Sequence, residues 1–211
     1  MDHPTLEHET RIWQAGYAAI AGLDEAGRGA LAGPVVAGAV ILPKNVRQDG
    51  IWAEVQDSKL LTPTRREEMA GRIHSAAAGW AVGEASAQEI DEIGIAPATR
   101  LAMQRAIHAL STHPDYLLLD WVRLTTVNLP QESYTKGDQR IVSIAAASIL
   151  AKVHRDSLLV EMDQMYPLYG FARHKGYGAV SHLAAIAAHG PCPQHRYSFA
   201  PLRSNHTLFE K

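Results

Sequence analysis

Ala19-Ile-Ala-Gly-Leu-Asp-Glu-Ala-Gly-Arg-Gly29 is the stretch on which the fold turns. Ala19 to Leu23 is short and apolar, the mark of a buried strand. It runs into two carboxylates, Asp24 and Glu25, and then into the turn Gly27-Arg28-Gly29. Acids at strand ends in an α/β fold point into the crevice beside the sheet, where such folds bind ligands. A single aspartate there is more often a turn residue or a helix cap. Two contiguous acids leading into a glycine turn weigh more. Successive side chains on a regular strand face opposite ways. Both acids therefore reach one site only if the chain leaves regular geometry, and Gly27 supplies the freedom to do so.

Outward from this stretch, Val35 to Leu42 reads as a second strand closed by Pro43. Thr62-Pro63 is an N-cap followed by proline in the first turn, which predicts a helix to about Ala78 stopped by Gly79. Trp80 to Ala85 is a third strand. Ser86-Ala-Gln-Glu89 has the spacing of a capping box. Pro97 to Leu110 is helical in period, and Tyr116 to Leu119 is a short strand ending at Asp120. Arg140 to about Met165 is the longest helical pattern, and a last helix covers Ala179 to Ala188. Early strands, then helices interrupted by one more strand, predict an α/β layered domain. The 211 residues show no linker or repeat, so one domain over 1–211 is expected.

The net charge of −2 argues against a simple basic nucleic-acid-binding protein. The average hides an asymmetry, because between Met165 and Lys211 the only acid is Glu210. That quarter holds Arg173, Lys175, Arg196, Arg203 and Lys211, with His174, His182, His189, His195 and His206. It reads equally as a phosphate-tracking surface or a solvated tail. The histidines lack zinc-site spacing and read as surface or nucleic-acid-facing. Cys192, the single cysteine, reads as an incidental loop residue and excludes an internal disulfide. Met1 to Trp13 lacks the pattern of a secretory signal. The apolar run Ala30 to Leu42 is too short for a membrane span and contains Pro34. A cytoplasmic monomer without a membrane partner is the expectation. The sequon Asn205-His206-Thr207 carries little weight, and the end after Ser204 is open between a docking tail and an unstructured one.

In the long helix, Ser148, Lys152 and Asp156 fall at i, i+4 and i+8, on roughly one face. The surrounding Ile144-Ala-Ala-Ala-Ser148-Ile-Leu-Ala is small and apolar, as in a helix packed tightly on a sheet. The polar stripe is either an exposed face with a Lys152–Asp156 ion pair or a stripe turned toward the strand-end acids. The candidate cluster is then Asp24, Glu25, Asp120 and Asp156. Carboxylates gathered so closely raise one another's pKa, and divalent cations relieve the repulsion. Hard oxygen donors favour Mg²⁺ or Mn²⁺ over zinc. Two such ions suit phosphodiester cleavage. No serine triad, P-loop or dinucleotide fingerprint is present. His174-Lys-Gly-Tyr-Gly178 puts Tyr177 in a basic loop, either stacking on a base or sugar or packing on the protein itself.

The segments Gly22-Leu-Asp-Glu-Ala-Gly-Arg-Gly29, Asp57-Ser-Lys59, Leu117-Leu-Leu-Asp120, Lys136-Gly-Asp138 and Ala146-Ala-Ser-Ile-Leu-Ala-Lys-Val153 with Arg155-Asp156 occur in this order. His174-Lys-Gly-Tyr177 and His195-Arg196 with Ser198-Phe199 follow. Together, over about residues 19–203, they resemble bacterial ribonuclease HII. The resemblance implies a ribonuclease H-like mixed sheet flanked by helices, with a helical C-terminal part. It implies hydrolysis of the RNA strand of RNA–DNA hybrids, and cleavage 5′ of single ribonucleotides in DNA to leave 3′-hydroxyl and 5′-phosphate ends. It implies that Asp24, Glu25, Asp120 and Asp156 hold the metals, that Gly27-Arg28-Gly29 senses the ribose 2′-OH, and that Tyr177 packs on the neighbouring deoxyribose. Lys59, Lys136 and Lys152 are candidate phosphate contacts or salt-bridge partners of the acids. One departure stands out: the family commonly has glycine after the third acid, and here it is Trp121. The rival readings are a DNA-junction resolvase of related fold and a non-catalytic hybrid-binding module. Nothing in the sequence speaks to recruitment by a sliding clamp.

Overall fold

The decisive apolar stretch forms strand β1, Ile20–Ala26, in a computed structural model that describes residues 3–203. The tail after Ser204, with its sequon, Glu210 and Lys211, lies outside the described residues. β1 is joined by β2 (Val35–Ile41), β3 (Gly79–Ala85), β4 (Tyr116–Asp120) and β5 (Gln131–Tyr134). The sheet order is β3-β2-β1-β4-β5. β1, β2 and β3 pair antiparallel, whereas β4 pairs parallel with both β1 and β5. This is the mixed sheet that the resemblance implies.

The helices are α1 (Glu7–Gln14), α2 (Gly50–Glu54), α3 (Pro63–Ala76), α4 (Ala87–Ile93), α5 (Ile95–Ala109), α6 (Val142–Met165), α7 (Phe171–His174) and α8 (Val180–His189). Alternation along the strands splits the core in two. Ile20, Val40 and Leu118 pack with α3 and α6, while Ala21, Leu23, Ala39 and Leu119 pack with α5. Glycines let the helices sit close. A Cβ on Gly22 would come 2.3 Å from the Ser143 carbonyl carbon, and one on Gly38 2.3 Å from the Ala147 carbonyl oxygen. A third cluster, with Leu31, Leu159, Phe171, Ile186 and Cys192, ties the C-terminal helices to the loop after β1.

Several expected boundaries shift. Gly79 does not stop α3 but opens β3, and the helix ends instead at Ala77, which is extended. The Thr62 cap and the Ser86–Glu89 capping box both form. α1 and β5 were not expected. β5 is a polar edge strand without an apolar run, defined by its pairing to β4. α1 supplies a remote cap: the Glu9 carboxylate accepts from the Ser143 N–H at 2.8 Å, in the first turn of α6, which has no side-chain cap of its own. Among the described residues, no helix is long and apolar enough to cross a membrane.

Candidate active site

The β1–β4 ladder ends at the pair Leu23–Leu119, while the β1–β2 ladder continues to Ala26. The expectation that the chain leaves regular geometry at Asp24 and Glu25 is thus corrected. The strand stays regular, and what ends is its pairing on the β4 side. The gap is a cleft of about 440 Å³ lined by Asp24, Glu25, Arg28, Gly29, Lys59, Asp120, Trp121, Lys136, Asp138 and Tyr177, among others.

Four carboxylates line this cleft. Burial, then Glu25, Asp120 and Asp138, push Asp24 well above the ordinary carboxylate range. Burial raises Glu25 to about 7, against the pull of hydrogen bonds from Trp121 and Arg28. Asp120 is raised by burial, opposed by the Gly137 N–H that donates to its Oδ1 at 2.8 Å. Asp138 accepts from Lys59 Nζ at 3.0 Å. It sits in the short turn Gly137–Gln139, where Lys136 takes a left-handed conformation and leads the chain in.

Asp156 does not join them. It bonds Lys152 at 2.7 Å and lies 3.5 Å from Arg66 of α3. Ser148, two steps back along the stripe, meets Ser58 at 2.8 Å. The helical face was read correctly as one face, but it turns toward Ser58 and Arg66 rather than the strand-end acids. Asp138 takes the place assigned to Asp156. Its signal was the Lys136-Gly-Asp138 segment, which has no periodicity to reveal where its side chain goes.

The other expected residues divide. Arg28 and Gly29 line the cleft, and a Cβ on Gly29 would meet nothing within 4 Å, so its backbone is open. Gly27 faces away: at φ +92°, it leaves room for Arg155, whose Nε would lie 1.9 Å from a Cβ there. Lys59 and Lys136 line the cleft. Lys152 does not; its Nζ is 5.8 Å from the centre of the Tyr177 ring. Trp121 lines the site, packs against the α5-side core and braces Glu25. Its Nε1 donates to Glu25 Oε1 at 2.8 Å, and the Arg28 guanidinium lies 3.8 Å over its ring.

In the C-terminal quarter Arg196 is neither a phosphate-tracking nor a solvated residue: like Arg155 of α6, it is fully buried and binds carbonyls. Arg196 holds the Arg28 and Gly33 carbonyls, and burial lowers it to about 9. Arg155 holds those of Pro34, Lys175 and Ala32. His182 and His195 are buried rather than surface residues, and Cys192 is packed against His195 rather than loose in a loop.

The profile of ribonuclease HII matches residues 21–202. The chain belongs to the ribonuclease HII family. It is accordingly a ribonuclease, a hydrolytic enzyme. A ribonuclease HII from Dehalococcoides mccartyi is 50% identical over 201 residues, covering 95% of each chain. One from Geotalea uraniireducens is 52% identical over 194 residues, 92% of this chain and 88% of the relative. Among solved structures, the ribonuclease H2 of Pyrococcus horikoshii matches with TM-score 0.73 at 26% identity, over 92% of this chain and 99% of its own. The ribonuclease HII of Archaeoglobus fulgidus, solved with PCNA, matches with TM-score 0.71 at 25% identity, over 86% of this chain and 95% of its own. A ribonuclease HIII solved with Mn²⁺ shares the fold, with TM-score 0.65 at 22% identity, over 94% and 72% of the two chains. The cleft lies at strand ends, with acids from β1, β4 and the turn before α6.

Proposed function

We propose that this ribonuclease HII hydrolyses the RNA strand of RNA–DNA hybrids and cuts DNA duplexes 5′ of an embedded ribonucleotide, leaving 3′-hydroxyl and 5′-phosphate ends. The observation that carries the reading is the recess lined by Asp24, Glu25, Asp120 and Asp138. These donors are all hard oxygens, without cysteine or histidine, which suits Mg²⁺ or Mn²⁺. The Glu25 Oε2 atom is buried without a partner, and Asp24 is buried among like charges. A divalent cation relieves both. Among the described residues no group of three such side chains is already gathered as a metal cage, and these carboxylates line the recess. Asp24, Glu25, Asp120 and Asp138 would hold two such ions, which would supply Lewis-acid activation of the attacking water and charge stabilisation at the departing 3′-oxygen.

The chain's own groups do the rest. Arg28, Lys59 and Lys136 present cations to the phosphates, so binding weakens as salt rises. The open backbone at Gly29 meets the ribose 2′-OH, and Tyr177 packs on the adjoining deoxyribose. Trp121 and Arg28 hold Glu25 in place. Residues 1–211 act as one domain and as a monomer. The test is cleavage of a duplex carrying one ribonucleotide, beside an all-DNA duplex, with and without Mg²⁺. One Mg²⁺-dependent cut 5′ of the ribonucleotide, absent from the all-DNA control, is expected. Equal cutting of both duplexes would refute the 2′-OH requirement and favour a junction resolvase.

A further inference from the structure

Away from the cleft, three imidazoles and a thiol pack together in the C-terminal part. His182 and His195 are buried, with their Nε2 atoms 3.0 Å apart. His174 stacks on His182, ring centres 4.3 Å apart. Cys192 Sγ lies 3.2 Å from Nδ1 of His195, on the other side of that ring from His182. The ligand atoms therefore do not converge on a point, and the cluster is a chain rather than a cage.

One end of the chain fixes its direction. The carbonyl oxygen of Tyr177 can only accept, so Nδ1 of His182, 2.8 Å away, carries the hydrogen. Burial lowers His182, and it lowers His195 to about 4, so each ring is neutral with one N–H. Nε2 of His182 is then bare and accepts from the Nε2–H of His195. Nδ1 of His195 is bare in its turn and accepts the backbone N–H of Cys192 at 3.0 Å, with the Cys192 carbonyl oxygen and Sγ each 3.2 Å away. With His182 and His195 both carrying Nδ1–H, two bare Nε2 atoms would face each other at 3.0 Å, so the chain runs in this direction.

The loop is tied on its other side by His174. Its carbonyl accepts the Tyr177 N–H at 3.0 Å, and its Nδ1 lies 3.3 Å from the Gly176 nitrogen. Tyr177 itself stays 39% exposed and lines the cleft.

We infer that His182 and His195 are positioning residues for Tyr177: the imidazole chain running from the Cys192 N–H to the Tyr177 carbonyl holds the tyrosine where its ring meets the substrate sugar. The inference rests on the reading of Tyr177 as a substrate contact.

Two measurements test it. Nitrogen-15 NMR of histidine-labelled protein at neutral pH reads the tautomers directly. His182 is expected as the Nδ1–H form and His195 as the Nε2–H form; the reverse pair would overturn the chain whatever Tyr177 does. The second is duplex binding without turnover, in an Asp24→Asn background, comparing a one-ribonucleotide duplex with an all-DNA one. His182→Ala is expected to lower the preference for the ribonucleotide duplex about tenfold, the scale of one well-placed contact. His182→Asn, whose amide nitrogen reaches the place of Nδ1, restores most of it and guards against a folding defect. His182→Ala adds nothing once Tyr177 is alanine. An equal loss with and without the Tyr177 ring would reduce His182 to packing and overturn the inference. Unchanged preference in Tyr177→Ala alone would instead sink the assigned role of Tyr177, and the tautomers would still decide whether the chain exists.

Discussion

Trp121 stands in a left-handed backbone conformation, φ +44°, directly after Asp120. For a bulky residue this costs about 1–2 kcal/mol. The return is its hydrogen bond to Glu25 and its stack with Arg28. Trp121→Gly relieves the backbone but frees Glu25, so kcat/KM is expected to fall about tenfold while stability changes by less than about 1 kcal/mol. Kinetics and thermal melting on the same preparation check both halves. At the same scale, Asp138→Asn is expected to abolish Mg²⁺-dependent cleavage, while Asp156→Asn leaves at least about a tenth of it, since one faces the cleft and the other an ion pair. Equal losses in the two variants would contradict this division of the acids. Asp156 was legible as one face of a helix, because 3.6-residue periodicity shows which side chains share a face. It does not show which neighbour that face meets. Asp138 lies in a turn with no period at all, and only the pairing of β4 with β5 brings that turn to the cleft.

Among the elements, α6 and β1 are held at a distance that only small residues permit. Their apolar patterns were plain in the sequence, and so were the caps of α3 and α4. The closeness was not, because a glycine in an apolar run has no signature that separates a bulge from a packing seat. Gly22 shows which it is: an added Cβ would lie 2.3 Å from one α6 backbone atom and 2.6 Å from another. Gly22→Ala must push the helix away, at a cost of about 3 kcal/mol, roughly 6–12 °C in melting temperature for a chain of this size. Gly71→Ala in α3 is the control. Nothing lies within 4 Å of its added Cβ, and the change is expected to stabilise by up to about 1 kcal/mol. α1 and β5 escaped sequence reading because each is defined by what it meets: Glu9 by the start of α6, and β5 by the edge of β4.

For the molecule as a whole, the buried imidazoles set a dependence on acid. His195 titrates near 4 when folded, against an ordinary 6.5. The unfolded chain takes up its proton as pH falls below 6.5, and the folded chain refuses it down to about 4. The contribution of His195 to stability is therefore full above 6.5 and is lost progressively between 6.5 and 4, at up to about 1.4 kcal/mol per pH unit, while Glu25, raised to about 7, contributes with the opposite sign. The titratable groups facing His195 are His182, His174, Cys192 and Tyr169. Denaturation of the wild type and of His195→Gln at pH 7, 6 and 5 isolates the term: the stability of the wild type relative to the variant is expected to fall as pH falls. A relative stability that does not change with pH would assign the effect elsewhere.

The ladder that joins β1 to β4 pairs residues 20–23 with residues 116–119. A ribosome releases the first set long before the second, and Asp138 later still. Until then the acids of β1 lack Asp120, Trp121 and Asp138, and the growing chain cannot assemble its four-carboxylate cleft. On the proposed assignment of the acids, activity arrives only after β4 and the turn before α6 have been made, as a consequence of strand order.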